Sequence, residues 1–235
     1  MIPKKIHYCW FGKNKLPDKA VKCINSWKKY CPDYEIIEWN EDNFDVRQNG
    51  YTAFTYDNRK FAFLSDYVRL LAVYQEGGVY LDVDVELIRP IDDLLLNHSA
   101  YFGFESSEYV NTGLGFGAEA NNRIVKQMIE EYEQLLDGKH DVVGCPTLNT
   151  QALIKCGMTA NGMLQNIQGA VIYPKEYFNP YDDPTGRLQI TQNTYSIHWY
   201  LKSPHSKAVI LRSNLMRPLH RILGVNCFSW LKGKK

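Results

Sequence analysis

The chain is predicted to be an α/β protein with a mixed, mainly parallel sheet flanked by helices in one domain. Three observations predict it. The chain opens strand–helix–strand, a long apolar-striped helix later runs straight into a β-branched segment, and 235 residues suffice for one substantial core. The first strand spans 4–10 (KKIHYCW). Pro17-Asp18 opens a helix to about Tyr30, with Ala20, Val21, Ile24 and Trp27 at helical spacing, and 34–39 (YEIIEW) is the second strand. A longer helix runs from about Arg59 to Glu76 on a stripe of Phe61, Leu64, Val68, Leu71 and Ala72, and Gly77-Gly78 ends it. A continuous strand is expected over 79–87 (VYLDVDVEL). Further strands are expected at 101–104, 110–116, 171–173 and 195–199, and helices at 122–136 and from Gly144 to about Cys156. No internal repeat or linker interrupts the run. The division is therefore a domain over 1–204 and a basic tail over 205–235.

Composition narrows the classes. No stretch approaches the roughly 18–20 apolar residues that span a bilayer. The opening Met1-Ile2-Pro3-Lys4-Lys5 leads into a strand rather than an apolar signal core, so export is not expected. Cys9, Cys23, Cys31, Cys145, Cys156 and Cys227 show no paired spacing and read as reduced thiols of a cytoplasmic protein. The 16 tyrosines fit either an aromatic core or a ring-stacking site.

The chemistry centres on Asp82 and Asp84. Within a strand, alternation would put both carboxylates on one face and Leu81, Val83 and Val85 on the other. Two such acids repel unless a cation or solvent screens them, and their oxygens suit Mg²⁺ or Mn²⁺ completed by substrate phosphates. The competing reading is an edge strand with a solvated polar face. One helix upstream, Asp66 and Arg69 stand three apart on one face. They fit a surface ion pair, or a carboxylate for a sugar or ribose hydroxyl beside a cation for phosphate.

These residues lie in a longer pattern. Ala62-Phe63-Leu64-Ser65-Asp66-Tyr67-Val68-Arg69, followed by Tyr74-Gln75-Glu76-Gly77-Gly78-Val79-Tyr80-Leu81-Asp82-Val83-Asp84, resembles the signature of glycosyltransferase family 32, the DXD-containing sugar transferases. That group includes outer-chain mannosyltransferases, capsular-polysaccharide transferases and the catalytic domains of glucosylating toxins. The segments 2–12 and 34–40 resemble its first two strands, and Gly144-Cys145-Pro146 and Ile197-His198-Trp199 its later landmarks. One departure is that Ser203 precedes Pro204 where members often carry Ser-Trp. The resemblance implies a GT-A, Rossmann-like fold, a UDP- or GDP-linked sugar donor, retention of anomeric configuration, and Mn²⁺ or Mg²⁺. It assigns Asp82 and Asp84 to the metal–diphosphate unit, Asp84 being the more direct ligand. Asp66 and Arg69 fall to donor sugar or ribose, Trp10 to the base, and Tyr80 to a supporting contact. It places His198 near the metal or diphosphate, where a satisfied core histidine is an equal alternative. Asn111 becomes a sugar contact, against an ordinary turn residue.

The expected reaction is therefore metal-assisted glycosyl transfer through Asp82, Asp84 and Arg69 to a glycan or lipid-linked glycan. No second carboxylate pair of the glycosidase kind is apparent. Two other classes stay open: a metal-dependent phosphoryl-transfer or hydrolytic enzyme, and a non-catalytic sugar-nucleotide- or membrane-binding protein. Net charge is +1, yet 205–235 carries seven of the 27 basic residues and no acid, leaving the body at about −6. Apolar residues interleave these cations over 206–230, as in a segment drawn to anionic lipid. Pro218 and Gly224 argue against one long helix there. The alternative is a C-terminal helix packed on the domain. The resulting expectation is a cytoplasmic protein, peripheral on the inner face of the membrane. Nucleic acid is not an expected partner, because no recognition motif accompanies the charges.

Overall fold

The computed structural model describes residues 1–201 and 207–224, with side chains over 1–201 and 215–224. Ser203-Pro204 and the tail beyond Gly224, including Cys227, lie outside the described residues. β1 (Lys5–Cys9) and β2 (Glu35–Trp39) pair in parallel and are joined by α1 (Asp18–Tyr30). That helix buries Ala20, Cys23, Ile24 and Trp27, the stripe its spacing predicts with Cys23 in place of Val21. α2 (Gly50–Asp57), which the periodicity did not reveal, starts at a capping box in which Asn49 and Thr52 satisfy each other's backbone.

α3 (Phe61–Glu76) is more deeply buried than a one-sided stripe. Leu64, Asp66, Tyr67, Val68, Arg69, Leu70, Ala72 and Val73 are all inside. It ends at Gly77, φ 65°, and Gly78, φ 111°. A Cβ on Gly78 would lie 2.9 Å from the Lys5 carbonyl oxygen, so both the turn and the strand approach require glycine.

The expected strand over 79–87 is two strands. β3 (Gly78–Tyr80) joins the main sheet, while β4 (Val85–Leu87) leaves it and pairs with β11 (Ser196–His198). Between them the Val85 N–H donates to the Asp82 carbonyl at 2.9 Å, closing a turn. The premise that Asp82 and Asp84 share a strand face is therefore wrong. α1 captures the departing strand, since the Trp27 indole N–H donates to the Val85 carbonyl at 2.7 Å and Ser26 accepts from the Leu87 N–H.

β5 (Ala100–Gly103) is followed by a 3₁₀ turn over Thr112–Leu114 and by β6 (Phe116–Ala118), not by the strand expected over 110–116. α4 (Arg123–Glu130) is shorter than the helix expected over 122–136, which continues as a 3₁₀ turn, and α5 (Cys145–Lys155) begins as expected. β7 (Gln165–Ile167) and β8 (Ala170–Tyr173) complete a seven-stranded sheet of order β2-β1-β3-β6-β5-β8-β7. β6 and β7 run against the other five, giving the mixed, mostly parallel sheet expected. Alternate residues feed two cores, one on each face. Tyr80 and Phe102 enter the core built on α3, while Val79 and Tyr101 enter the core built on α1.

The hairpin β9 (Tyr181–Asp182) and β10 (Arg187–Leu188) lies in the aromatic, Asn- and Pro-rich loop. α6 (Lys207–Leu223) runs through Pro218 as one helix and stops before Gly224, correcting the expectation that Pro218 interrupts it. Arg217, His220 and Arg221 contact the hairpin, at the carbonyls of Asp183, Pro184, Thr185 and Gly186. Those contacts favour the packed-helix reading for that edge of the tail.

Candidate active site

The β3–β4 turn lies at the carboxyl ends of the parallel strands β1 and β3, where open α/β sheets bind ligands. The turn itself brings the acids together. Asp82, Asp84 and His198 each offer a ligand atom, and these atoms lie within 4.8 Å of one another. His198 arrives on β11, whose pairing with β4 sets it opposite Val85.

Arg69 lies behind Asp82. Its Nη2 is 2.8 Å from Asp66 Oδ1 and 3.2 Å from Asp82 Oδ1, its guanidinium sits 4.7 Å from the Tyr80 ring centre, and the Tyr80 hydroxyl donates to Asp82 at 2.9 Å. The Asp66–Arg69 pair is buried, not a surface pair. Removing one partner would strand an interior charge, a loss of about 3–5 kcal/mol for such pairs. Burial raises Asp66 to about 6, against the pull of Arg69 and of Cys145 at the start of α5. Burial likewise raises Asp82, opposed by Arg69.

Asp84 moves the other way. Burial would raise it, but His198 and the Leu201 N–H, which donates at 2.6 Å, together hold it below the usual carboxylate range. His198 Nε2 stands 3.2 Å from Asp84 Oδ1. Burial opposes protonation of His198 and the Asp84 charge favours it, with the net shift upward. Its Nδ1 is buried with no partner among the described residues, unlike that of a satisfied core histidine. Two carboxylates and an imidazole, converging with one ring nitrogen unpartnered, form a donor set that Mn²⁺ or Mg²⁺ fits.

Asn111 caps the 3₁₀ turn that lies beside Asp82. Its Oδ1 accepts from the Gly113 N–H at 2.7 Å and from the Cys145 thiol at 3.2 Å, and its amide donates to Glu105. A Cβ on Gly113 would lie 2.4 Å from Asp82 Oδ2 and 3.0 Å from Arg69 Nη1 and would push those side chains aside. Trp10 follows β1 at the same sheet end, its indole N–H donating to the Asn14 carbonyl at 2.6 Å, and among the described residues no hydrogen bond joins it to the acidic cluster.

Sequence reasoning missed Glu105, Tyr200 and Asn179. The Tyr200 ring lies tilted against His198, ring centres 4.1 Å apart, and its hydroxyl joins Glu105 at 3.0 Å and Asn179 at 2.7 Å. No motif marks Glu105. Tyr200 is two residues beyond His198 in the strand pattern, and that spacing was its one available signal.

Residues 17–101 match a family model described as a glycosyltransferase sugar-binding region containing DXD motif. The chain carries a DXD glycosyltransferase region. Its acidic turn is the D-x-D of that description, and the resemblance to family 32 is thereby supported. The chain is 35% identical over 98 residues to inositol phosphoceramide mannosyltransferase 3 of Schizosaccharomyces pombe, covering 40% of this chain and 27% of that protein. It is 26% identical over 166 residues to subversion of eukaryotic traffic protein A of Legionella pneumophila, covering 57% and 25%. The glycosyltransferase region thus spans about a quarter of these relatives' length. In fold it is similar to the PaToxG glycosyltransferase, with TM-score 0.53 and 20% identity over 66% of this chain and 69% of that one. It is also similar to a glycosyltransferase involved in glycosylation of the major capsid of PBCV-1, with TM-score 0.50 and 14% identity over 91% and 98%. Those neighbours show the GT-A-type architecture.

Proposed function

We propose that the chain is a retaining glycosyltransferase that moves a sugar from a UDP- or GDP-linked donor to a hydroxyl of a glycan or lipid-linked glycan. The observation that carries this reading is the convergence of Asp82, Asp84 and His198 at the carboxyl ends of β1 and β3. A bound Mn²⁺ or Mg²⁺ would neutralise charge growing on the leaving diphosphate. The chain's own groups set the stage for that ion. Arg69 and the Tyr80 hydroxyl fix Asp82, while the Leu201 N–H fixes Asp84. Gly113 leaves room beside Asp82 that a side chain would fill. In the proposed step the anomeric carbon–phosphate oxygen bond breaks and the acceptor oxygen bonds the same face. The acceptor proton passes to the departing phosphate. Asp66 and Asn111 are the donor-sugar contacts in this reading, and Trp10 stacks on the base.

The test is a panel of nucleotide sugars with Mn²⁺ or Mg²⁺, following nucleoside diphosphate release and the anomeric configuration of the product by NMR. Diphosphate release that needs a sugar acceptor supports the reading. Release equally fast into water points to a hydrolase, and donor binding with neither reaction points to a binding protein.

A second observation bears on the membrane-peripheral part of the reading. Leu215, Leu219, Ile222 and Leu223 are exposed on the face of α6 opposite the arginines that hold the hairpin. Liposome flotation with and without 206–235 tests it. Equal recovery of both forms in the soluble fraction rejects it.

A further inference from the structure

A cleft of about 440 Å³ opens between the 3₁₀ turn over Lys175–Tyr177 and the β9–β10 hairpin. That volume is in the range of small-molecule sites, about 300–1,000 Å³. We propose that it is a saccharide subsite that seats the acceptor. The acceptor role rests on the transfer reaction proposed above, whereas the binding of a sugar does not.

The lining states the ligand's chemistry. Lys175 and Arg187 face Glu176 and Asp182, so the charges balance and no net field selects a phosphate. Both acids are already engaged, Glu176 by the Asn193 amide at 2.7 Å and Asp182 by the Thr185 hydroxyl and N–H. They act as fixed acceptors in a wall. Lys175 and Gln189 line the cleft, have no side-chain hydrogen bond among the described residues, and carry N–H donors. An uncharged polyhydroxylated ring, with donors and acceptors around its rim, matches such a mixture.

One buried atom points to an occupant. Asn179 is 2% exposed and lines the cleft, its amide donates to the Tyr200 hydroxyl and the Glu105 carbonyl, and its Oδ1 has no partner among the described residues. A buried carbonyl left so is costly, and a ligand hydroxyl would satisfy it once the side chains that shut it from solvent move apart. The same residue ties the cleft to the acidic cluster. Asn179 bonds Tyr200, the Tyr200 ring lies against His198, and His198 contacts Asp84. Glu105, held by the Tyr200 hydroxyl, also holds Asn111. Occupancy of the cleft is thus one side chain removed from the residues that would hold the cation.

The test uses the full chain and methyl glycosides of glucose, galactose, mannose and N-acetylglucosamine as probes, followed by saturation-transfer NMR. Roughly millimolar binding is expected for such small ligands. Wild type should transfer saturation to at least one glycoside. The Lys175→Ala/Gln189→Ala double variant, altered only at half-buried or exposed positions, should weaken that binding about fivefold or more while its Tm holds. Three results overturn the proposal: no glycoside receives saturation, the double variant binds as wild type does, or inorganic phosphate displaces the glycoside. Glycoside binding without nucleotide-sugar turnover keeps the subsite and refutes the transfer reading. Turnover without cleft-dependent glycoside binding does the reverse.

Discussion

Two histidines lie deep in this molecule and are finished differently. His7, on β1, has both ring nitrogens used: Nδ1 accepts from the Trp39 indole at 3.1 Å, and Nε2 donates to the Gly77 carbonyl at 2.8 Å. His198, on β11, has Nε2 against Asp84 and, among the described residues, nothing on Nδ1. Arg69, behind Asp82, is alike, with Nη2 shared by two carboxylates and Nη1 buried with no partner among the described residues. Around His7 the polar groups close on each other and hold β1, β2 and the Gly77 turn in register. Around His198 the set is incomplete. Interior polar groups are ordinarily all satisfied, so an unfinished set at the ligand end of a sheet marks where something else enters.

The sharpest way to break this comparison is Asp84→Asn. It keeps shape but removes a charge from the unfinished set, and nucleoside diphosphate release should fall roughly 10²–10³-fold. An unchanged rate at saturating metal removes Asp84 from the chemistry. Next in size is the effect of the cation itself. Mn²⁺ at a hundred times its Kd should stabilise wild type by about 2.7 kcal/mol in thermal unfolding, and Asp84→Asn by far less. Equal shifts would place the ion elsewhere.

A smaller effect separates the two histidines by sign, in metal-free protein. Burial lowers His7, although the Gly77 carbonyl opposes it, so stability from the neutral ring is lost as pH falls below the ordinary histidine value. His198 is raised despite its burial, because Asp84 outweighs it, so its contribution is present in acid and lost as pH rises through its folded value. The Tm penalty of His7→Phe should therefore shrink toward low pH, and that of His198→Gln toward high pH. Penalties that change in the same direction would show that the two sites are not built differently. Smallest of all, Ile222→Ser should change Tm by no more than about 0.5 kcal/mol equivalent, since Ile222 is 81% exposed on α6. A larger loss would mean that this face is covered.

Much of the fold was legible. α1, α3 and α5 announce themselves by apolar spacing or a Gly-Cys-Pro start, and β1, β2, β8 and β11 by β-branched and aromatic runs. The failures have specific causes. Alternation over 79–87 reads the same for one strand as for two strands joined by a turn, so β3 and β4 could not be told from a continuous element. α2 is too short for a clear stripe, and its Asn49/Thr52 box was the available sign. The β9–β10 strands are two residues each, although Asp182-Asp183-Pro184-Thr185-Gly186 is a turn sequence. Pro218 was read as a breaker, but the helix carries it.

The sequence by itself determined the chemical inventory: paired acids at 82 and 84, an acid and a cation at 66 and 69, a late histidine, and a mixed sheet to hold them. Those follow from residue identity and from local periodicity, which are short-range properties of the chain. Only the tertiary structure decided how the inventory meets. Asp84 reaches His198 because β4 leaves the main sheet to pair with β11, more than a hundred residues away. Asp66 and Arg69 are interior because α3 is covered on nearly every side. Such contacts depend on which surfaces pack, and no local window of sequence contains the partner.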